Sequence, residues 1–159
     1  MHSDINLNTI GYIKAEKGRF YVSIKEDYKE ALKGLEGFSH INLIWWGNHS
    51  ETSEKRAILT VKKPYKKGPD VLGIFSTRSE IRPNPVLVSI SAVMNIDHSK
   101  GIIKLPWIDA ENGSPVLDIK PYLPCSDRVK DVSVPDWCAG WPKWSEDSAT
   151  FDWEAVFNF

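Results

Sequence analysis

Residues 75–90 read FSTRSEIRPNPVLVSI, and the middle of that stretch holds two guanidiniums, a carboxylate and a proline-locked amide: Arg78, Glu80, Arg82 and Pro83-Asn84-Pro85. Guanidinium groups present planar donors suited to carboxylate or phosphate. Pro83 and Pro85 fix their own φ angles and push Arg82 and Asn84 towards extended backbone. Such a connector cannot pair inside a sheet, so it belongs at a rim or bulge, where a rigid scaffold positions functional groups. The competing reading is a plain strand-to-strand connection with both arginines solvated and paired to Glu80. A second stretch, WIDAENGSPVLDIKPYLP (107–124), places Asp109, Glu111 and Asp118 close together, near Lys120. Asn112-Gly113 is a turn signal. Pro115, Pro121 and Pro124 predict a rigid path with few main-chain donors, and alone the stretch reads as a surface hairpin with acid–base pairs.

The elements around these residues are short, β-branched or aromatic runs separated by turn signals. Strands are expected at 9–14, 19–25, 40–46, 57–62, 71–75, 86–96 and 101–107. RFYVSIK alternates, with Phe20, Val22 and Ile24 on one face. VLVSISAVMNI puts Val86, Val88, Ile90 and Ala92 on one side and Leu87, Ser89 and Ser91 on the other. Its eleven residues require a bend or a barrel wall. EDYKEALKGL (26–35) predicts one helix, with Ala31, Leu32 and Leu35 as its stripe and Gly34 and Gly37 at its end. No GxGxxG and no strand–helix alternation occur, which argues against a Rossmann-type domain. The expected fold class is therefore all-β and mainly antiparallel: a small closed or partly open β-barrel with one short helix.

The totals fit one domain over residues 1–159, with 131–159 as a tryptophan-rich tail packed on it. The chain has 42% hydrophobic residues, seven tryptophans and a formal net charge of −1. That charge gives no global pull towards polyanions, so nucleic-acid binding needs a local patch. The densest basic run is KKPYKK (62–67), preceded by Lys55 and Arg56. No apolar run approaches the roughly 18–20 residues of a membrane span. MHSDINLNTIGYIK lacks a signal-peptide profile, so the protein reads as cytoplasmic. Cys125 and Cys138 read as reduced thiols, and no metal site is called for. Trp137, Trp141, Trp144 and Trp153 crowd a tail too aromatic to be disordered, which is expected to cover part of the domain.

Taken together, GIFSTRSEIRPNPVLVSI and NGSPVLDIKPYLP resemble the signatures of the TsaA-like (TrmO) family of S-adenosylmethionine-dependent methyltransferases. The first resemblance lies in Gly73, Phe75, Thr77-Arg78-Ser79, Arg82-Pro83-Asn84-Pro85 and Ser89, with residues 80 and 81 left open by the signature. The second lies in Gly113, Pro115-Val116 and Asp118-Ile119-Lys120-Pro121-Tyr122. Gly34-Leu35-Glu36 and Phe38-Ser39-His40 resemble a third family motif, and the likeness covers roughly residues 9–130. It implies a small β-barrel with an S-adenosylmethionine pocket completed by a second subunit, hence a homodimer. It also implies N6-methylation of threonylcarbamoyladenosine beside a tRNA anticodon. By position, Arg78 would face the cofactor, and Pro106, Trp107, Ile108 and Asp109 would give it backbone and carboxylate contacts. Asn48 and His49 would stand on the pocket wall, and Val88 would be an apolar lining residue. Asn84, Arg82 and Asp118 are the candidates for work on the acceptor, and His49, Asp109 and Asp118 for taking its proton. His40 reads as a satisfied structural histidine.

These residue types suit the chemistry. A sulfonium is a cation that carboxylates and aromatic faces favour, as Asp109 and Trp107 would supply. A methionyl carboxylate wants a guanidinium, as Arg78 would supply. The chain also departs from the family. No proline-arginine-glutamine motif appears early, Val86-Leu87 replaces Ile-Gly, and Asn112-Gly113-Ser114-Pro115 replaces D-G-T-P. The tryptophan-rich stretch stands where longer members have a second domain. Three readings follow: a tRNA adenosine methyltransferase, a methyltransferase for a small-molecule acceptor lidded by the tail, or a cofactor-binding module without catalysis.

Overall fold

The structure, a computed structural model, describes residues 5–158. Nine strands form: β1 (Gly11–Glu16), β2 (Arg19–Ile24), β3 (His40–Trp46), β4 (Thr60–Lys62), β5 (Val71–Gly73), β6 (Val86–Ala92), β7 (Asn95–Asp97), β8 (Ile102–Leu105) and β9 (Pro115–Pro121). Seven of them make one antiparallel sheet in the order β6-β3-β9-β1-β2-β8-β7, and β4 pairs with β5 as a separate hairpin. Lys17 and Gly18 both have positive φ, which closes the β1–β2 hairpin in two residues.

The expected bend in residues 86–96 falls between Ala92 and Asn95 and has a large consequence. The run supplies both outer strands of the sheet. A flat seven-stranded sheet would hold its edges roughly 29 Å apart, yet three residue steps span at most about 11 Å. The sheet must therefore curl until its edges approach. No ladder pairs β6 with β7, so of the two expected forms the partly open one is present.

The inside of the curl is the core: Ile13, Val22, Ile41, Leu43, Ile103 and Val116 are fully buried, joined by Ile24, Trp45, Leu105 and Ile108. Each such side chain contributes about 1.5–3 kcal/mol of apolar burial. On β6 the pattern inverts the chemistry. Ser91 is buried and Leu87 and Ser89 are half-buried, whereas Val88 and Ile90 are 44% and 48% exposed.

The helix expected at 26–35 is present and winds as 3-10 over Glu26–Leu32 and again over Leu35–Gly37, after Gly34 at φ 86°. The segment has no side-chain cap and buries only Leu32, too little to nucleate a full α-turn ladder. Residues 115–121 are not a hairpin surface but β9, which lies between β1 and β3. Its prolines bracket the strand at positions 115 and 121, so Val116–Lys120 keep every donor. A register shift opposite Ile44 and Trp45 leaves Leu117 as a bulge.

Aromatic rings of the C-terminal segment pack against the loop of the β4–β5 hairpin. Tyr65, 8% exposed, stacks on Trp137 at 5.0 Å and meets Trp141 and Phe157 edge-on or tilted. Trp141 and Trp153 extend the cluster, with Phe151 beyond. Burial, with the Cys138 thiol nearby, pushes the Tyr65 phenol above its ordinary pKa. Main-chain bonds Lys66 N to Val156 O (2.9 Å) and Asn158 N to Pro64 O (3.0 Å) sew the tail down. Replacing Tyr65 with Ala removes the ring at the centre of this satellite core, which is expected to cost it about 3 kcal/mol. Limited proteolysis should then cleave within residues 131–158 while residues 9–125 stay resistant; equal resistance of the variant would show that the tail is held by other contacts.

Candidate functional site

The RPNP connector is held from three sides. Gly47 N donates to Pro85 O at 2.8 Å. The fully buried Ser50 donates its hydroxyl to Glu80 Oε1 at 2.7 Å. Arg56, at the end of α1 (Ser53–Arg56), donates Nε to Pro83 O (2.7 Å) and Nη2 to Asn84 Oδ1 (3.1 Å). The same guanidinium lies 5.8 Å from the Trp46 ring centre. Because Arg56 occupies the Asn84 carbonyl, the Asn84 amide NH2 is turned outward as a donor. Within the loop, Thr77 Oγ1 bonds Ile74 O and accepts from Ser79 N, and Ser79 Oγ accepts from Ile81 N.

Between this loop and β6 lies an open cavity of about 590 Å³ lined by Trp45, Phe75, Thr77, Arg78, Glu80, Arg82, Val86, Leu87, Val88, Ser89 and Asp109. That volume sits within the roughly 300–1,000 Å³ of small-molecule sites. β6 is an edge strand, and Arg78 Nη2 donates to its Val88 carbonyl at 2.9 Å. Arg82 Nη2 reaches Thr77 O at 3.4 Å. Trp45 donates its indole N–H to Ser89 Oγ at 3.0 Å, which fixes the cavity floor. The plain-connection alternative fails on one point: among the described residues, neither Arg78 nor Arg82 pairs with Glu80 or any other carboxylate. Their charge is left for something else.

The cavity thus brings together Arg78, Arg82, Val88 and Asp109. Pro106 and Trp107 are exposed beside it, and Ile108 is a core anchor. The Trp107 carbonyl is taken by Ser91 Oγ at 3.1 Å, which ties this run to β6. Asn84 sits exposed on the rim. Asn48 and His49 do not line the cavity; their turn stands behind Glu80. His49 pairs with Glu111 at 2.9 Å, while Asn48 Oδ1 is a buried atom without a partner. Asp118 lines a different cavity of about 410 Å³, with Ile10, Leu32, Leu35 and Ile119. There it holds Lys120 at 2.7 Å and keeps that amine's pKa raised. His40 bonds Ser39 Oγ at 2.9 Å and meets the Tyr122 ring edge-on.

Sequence reasoning missed Glu80 as a cavity carboxylate and Arg56 as the clamp of the connector. Only the alternation of charge in Arg78, Glu80 and Arg82 pointed to the first. Nothing local pointed to the second, because its partners lie 27 and 28 residues away. Lys55 and Arg56 are both engaged locally: Lys55 Nζ donates to His49 O at 2.7 Å and Arg56 clamps the connector. In the basic hairpin, Lys63 pairs with Asp70 and Lys66 Nζ donates to Glu154 O. Among the described residues no group of His, Cys, Asp and Glu converges to hold a metal.

The family model of the tRNA-methyltransferase O N-terminal domain matches residues 11–128. The tRNA (adenine(37)-N6)-methyltransferase of Escherichia coli K12 is 34% identical over 126 residues, covering 78% of this chain and 53% of the relative. A probable S-adenosyl-L-methionine-binding protein of Pyrococcus horikoshii is 39% identical over 122 residues, 77% of this chain and 85% of the relative. The crystal structure of TrmO from Pseudomonas aeruginosa superposes with a TM-score of 0.64 at 29% identity, over 84% of this chain and 62% of that one. The chain therefore spans about half the length of the E. coli relative. With that match over residues 11–128, the chain belongs to the TsaA-like (TrmO) family, whose model is the tRNA-methyltransferase O N-terminal domain.

Proposed function

We propose that the protein is an S-adenosylmethionine-dependent methyltransferase that methylates N6 of threonylcarbamoyladenosine beside a tRNA anticodon, in the cytoplasm. The observation that carries the reading is the cavity between the TRSEIRPNP loop and β6, where two guanidiniums and two carboxylates stand unpaired in a member of this family. The residues fit the cofactor. Arg78 suits its carboxylate end, Asp109 its cationic end, and Val88 and Trp45 the apolar walls. When bound, S-adenosylmethionine supplies an electrophilic methyl group on a sulfonium.

The chain's own residues do the rest. Arg56 and the two prolines hold Asn84 so that its amide donates towards an acceptor base, and Arg82 stands ready for a phosphate or carboxylate. Positioning of this kind is worth several kcal/mol in a displacement reaction. An amide-like nitrogen is a poor nucleophile, so a base must take its proton. Asp109 is the earlier candidate that shares the cavity with the arginines. His49, salt-bridged to Glu111, and Asp118, in the other cavity, stand apart from it. The small-acceptor reading needed a tryptophan lid over this cavity, and the rings of Trp137 and Trp141 pack on Tyr65 instead.

A homodimer is part of the reading. Val88 and Ile90 form an exposed apolar face on an edge strand, with Phe75 (80% exposed) at the same cavity and Met94 (67%) just beyond β6. Faces of this kind mark association sites.

Four measurements test these statements. Calorimetric titration with S-adenosylmethionine should show saturable binding, weakened about tenfold or more by Arg78→Ala and by Asp109→Ala; no binding by the parent chain would end the methyltransferase reading. Incubation with threonylcarbamoyladenosine-containing tRNA and the methyl donor should yield the N6-methylated nucleoside by mass spectrometry. In a salt titration of tRNA binding, Lys62→Glu/Lys67→Glu, at exposed lysines of the hairpin, should weaken binding and reduce its salt slope by about 2. An unchanged slope would exclude the hairpin as a phosphate contact. Sedimentation equilibrium should give a dimer that Ile90→Asp converts to monomer, whereas a monomeric parent would remove the two-subunit site.

A further inference from the structure

Glu80 is the one cavity-lining carboxylate that is locked in place. Its Oε1 accepts the Ser50 hydroxyl at 2.7 Å from a residue with no exposed surface. Its stem lies against Gly47, where an added Cβ would stand only 3.3 Å from Glu80 Cβ and 3.4 Å from Oε2. Glycine at 47 thus lets the turn seat the glutamate. Gly47 N is in turn bonded to Pro85 O, which joins both ends of the loop to the same turn. The second oxygen, Oε2, has no hydrogen-bond or ion-pair partner among the described residues. Asp109 also lines the cavity but is exposed and has no comparable support.

A carboxylate fixed through one oxygen and open at the other is preorganised to accept a charged donor, with little rotamer freedom left to lose on binding. Arg78 and Arg82 line the same cavity, each donating to a single main-chain carbonyl and, among the described residues, neutralised by no acid. Separate, unpaired positive and negative groups in one pocket match the two ends of a zwitterionic α-amino acid. A carboxylate–guanidinium pair and an ammonium–carboxylate pair are both charge-assisted hydrogen bonds.

We propose that Glu80 binds the α-ammonium group of the methionyl end of the methyl donor, while Arg78 takes the carboxylate of that same end. This rests on the cofactor reading given above and adds a residue at a position that the family signature leaves open. Arg82 is then left to the acceptor.

The test is calorimetric and uses S-adenosylmethionine and 5′-methylthioadenosine, a neutral thioether that keeps the adenosine but carries no amino-acid end, with S-adenosylhomocysteine, a neutral thioether that keeps that end, as the control for the sulfonium charge. The parent chain should prefer the first. Glu80→Gln, which keeps an acceptor for the Ser50 hydroxyl but removes the charge, should weaken S-adenosylmethionine and S-adenosylhomocysteine alike, at least about tenfold, and leave 5′-methylthioadenosine unchanged. Ser50→Ala should weaken the first ligand less and the second not at all. Equal loss of all three ligands in Glu80→Gln, full retention of S-adenosylmethionine, or a loss confined to S-adenosylmethionine with S-adenosylhomocysteine retained would overturn the assignment while leaving the cofactor reading intact. If the parent bound none of the three, the cofactor reading would fall and Glu80 with it.

Discussion

Everything at the site depends on one covalent constraint: the two outer strands of the sheet belong to a single run of chain. β6 ends at Ala92 and β7 begins at Asn95, on opposite edges of seven strands. Backbone geometry leaves the sheet no choice but to curl. The curl encloses the Ile, Val and Leu core. It also leaves β6 as a true edge, with an unsatisfied flank facing the loop before it. Arg78 bonds Val88 on that flank and Ser91 bonds the run that carries Asp109. The cavity therefore lies along an open edge, where a main-chain carbonyl that a closed ladder would have used, Val88 O, is free to take Arg78.

The loop that forms the other wall is stiff for a different reason. Its prolines remove two donors and fix two φ angles, so its carbonyls need partners from elsewhere. Pro83 and Pro85 find them in Arg56 and in Gly47 N, on elements that follow β3. Each tie meets a main-chain need and at the same time orients a side chain: Asn84 through Arg56, Glu80 through Ser50 and Gly47. Stability and preorganisation share the same bonds, so changes behind the loop reach the cavity without touching a ligand.

The C-terminal segment shows how a stretch outside the sheet is ordered. Three aromatic rings meet Tyr65, with Trp153 and Phe151 packed beyond them, and such pairs are worth about 0.5–1.5 kcal/mol each beyond their burial. The hairpin tip, lysine-rich in sequence, thereby becomes the centre of a second apolar cluster. Lys66 is drawn into main-chain contacts with the tail, and the hairpin's basic character is carried by Lys62 and Lys67.

Much was legible in the chain itself. Alternation in β2, the break in 86–96 and the rim position of the RPNP connector all follow from local rules of side-chain spacing and proline geometry. Proline density misled in 115–121, because a proline's effect depends on whether its missing donor faces a partner, which the chain alone does not specify. The two faces of β6 had the same difficulty. Alternation gives the faces, but only the curl of the sheet decides that the serines look inward and Val88 and Ile90 outward. The sequence by itself determined which residue types were available: two guanidiniums, their neighbouring carboxylates and a rigid amide. Tertiary structure decided that Glu80 and Asp109 share a cavity with the arginines while Asp118 does not, because those placements depend on strand register and on contacts between residues far apart in the chain.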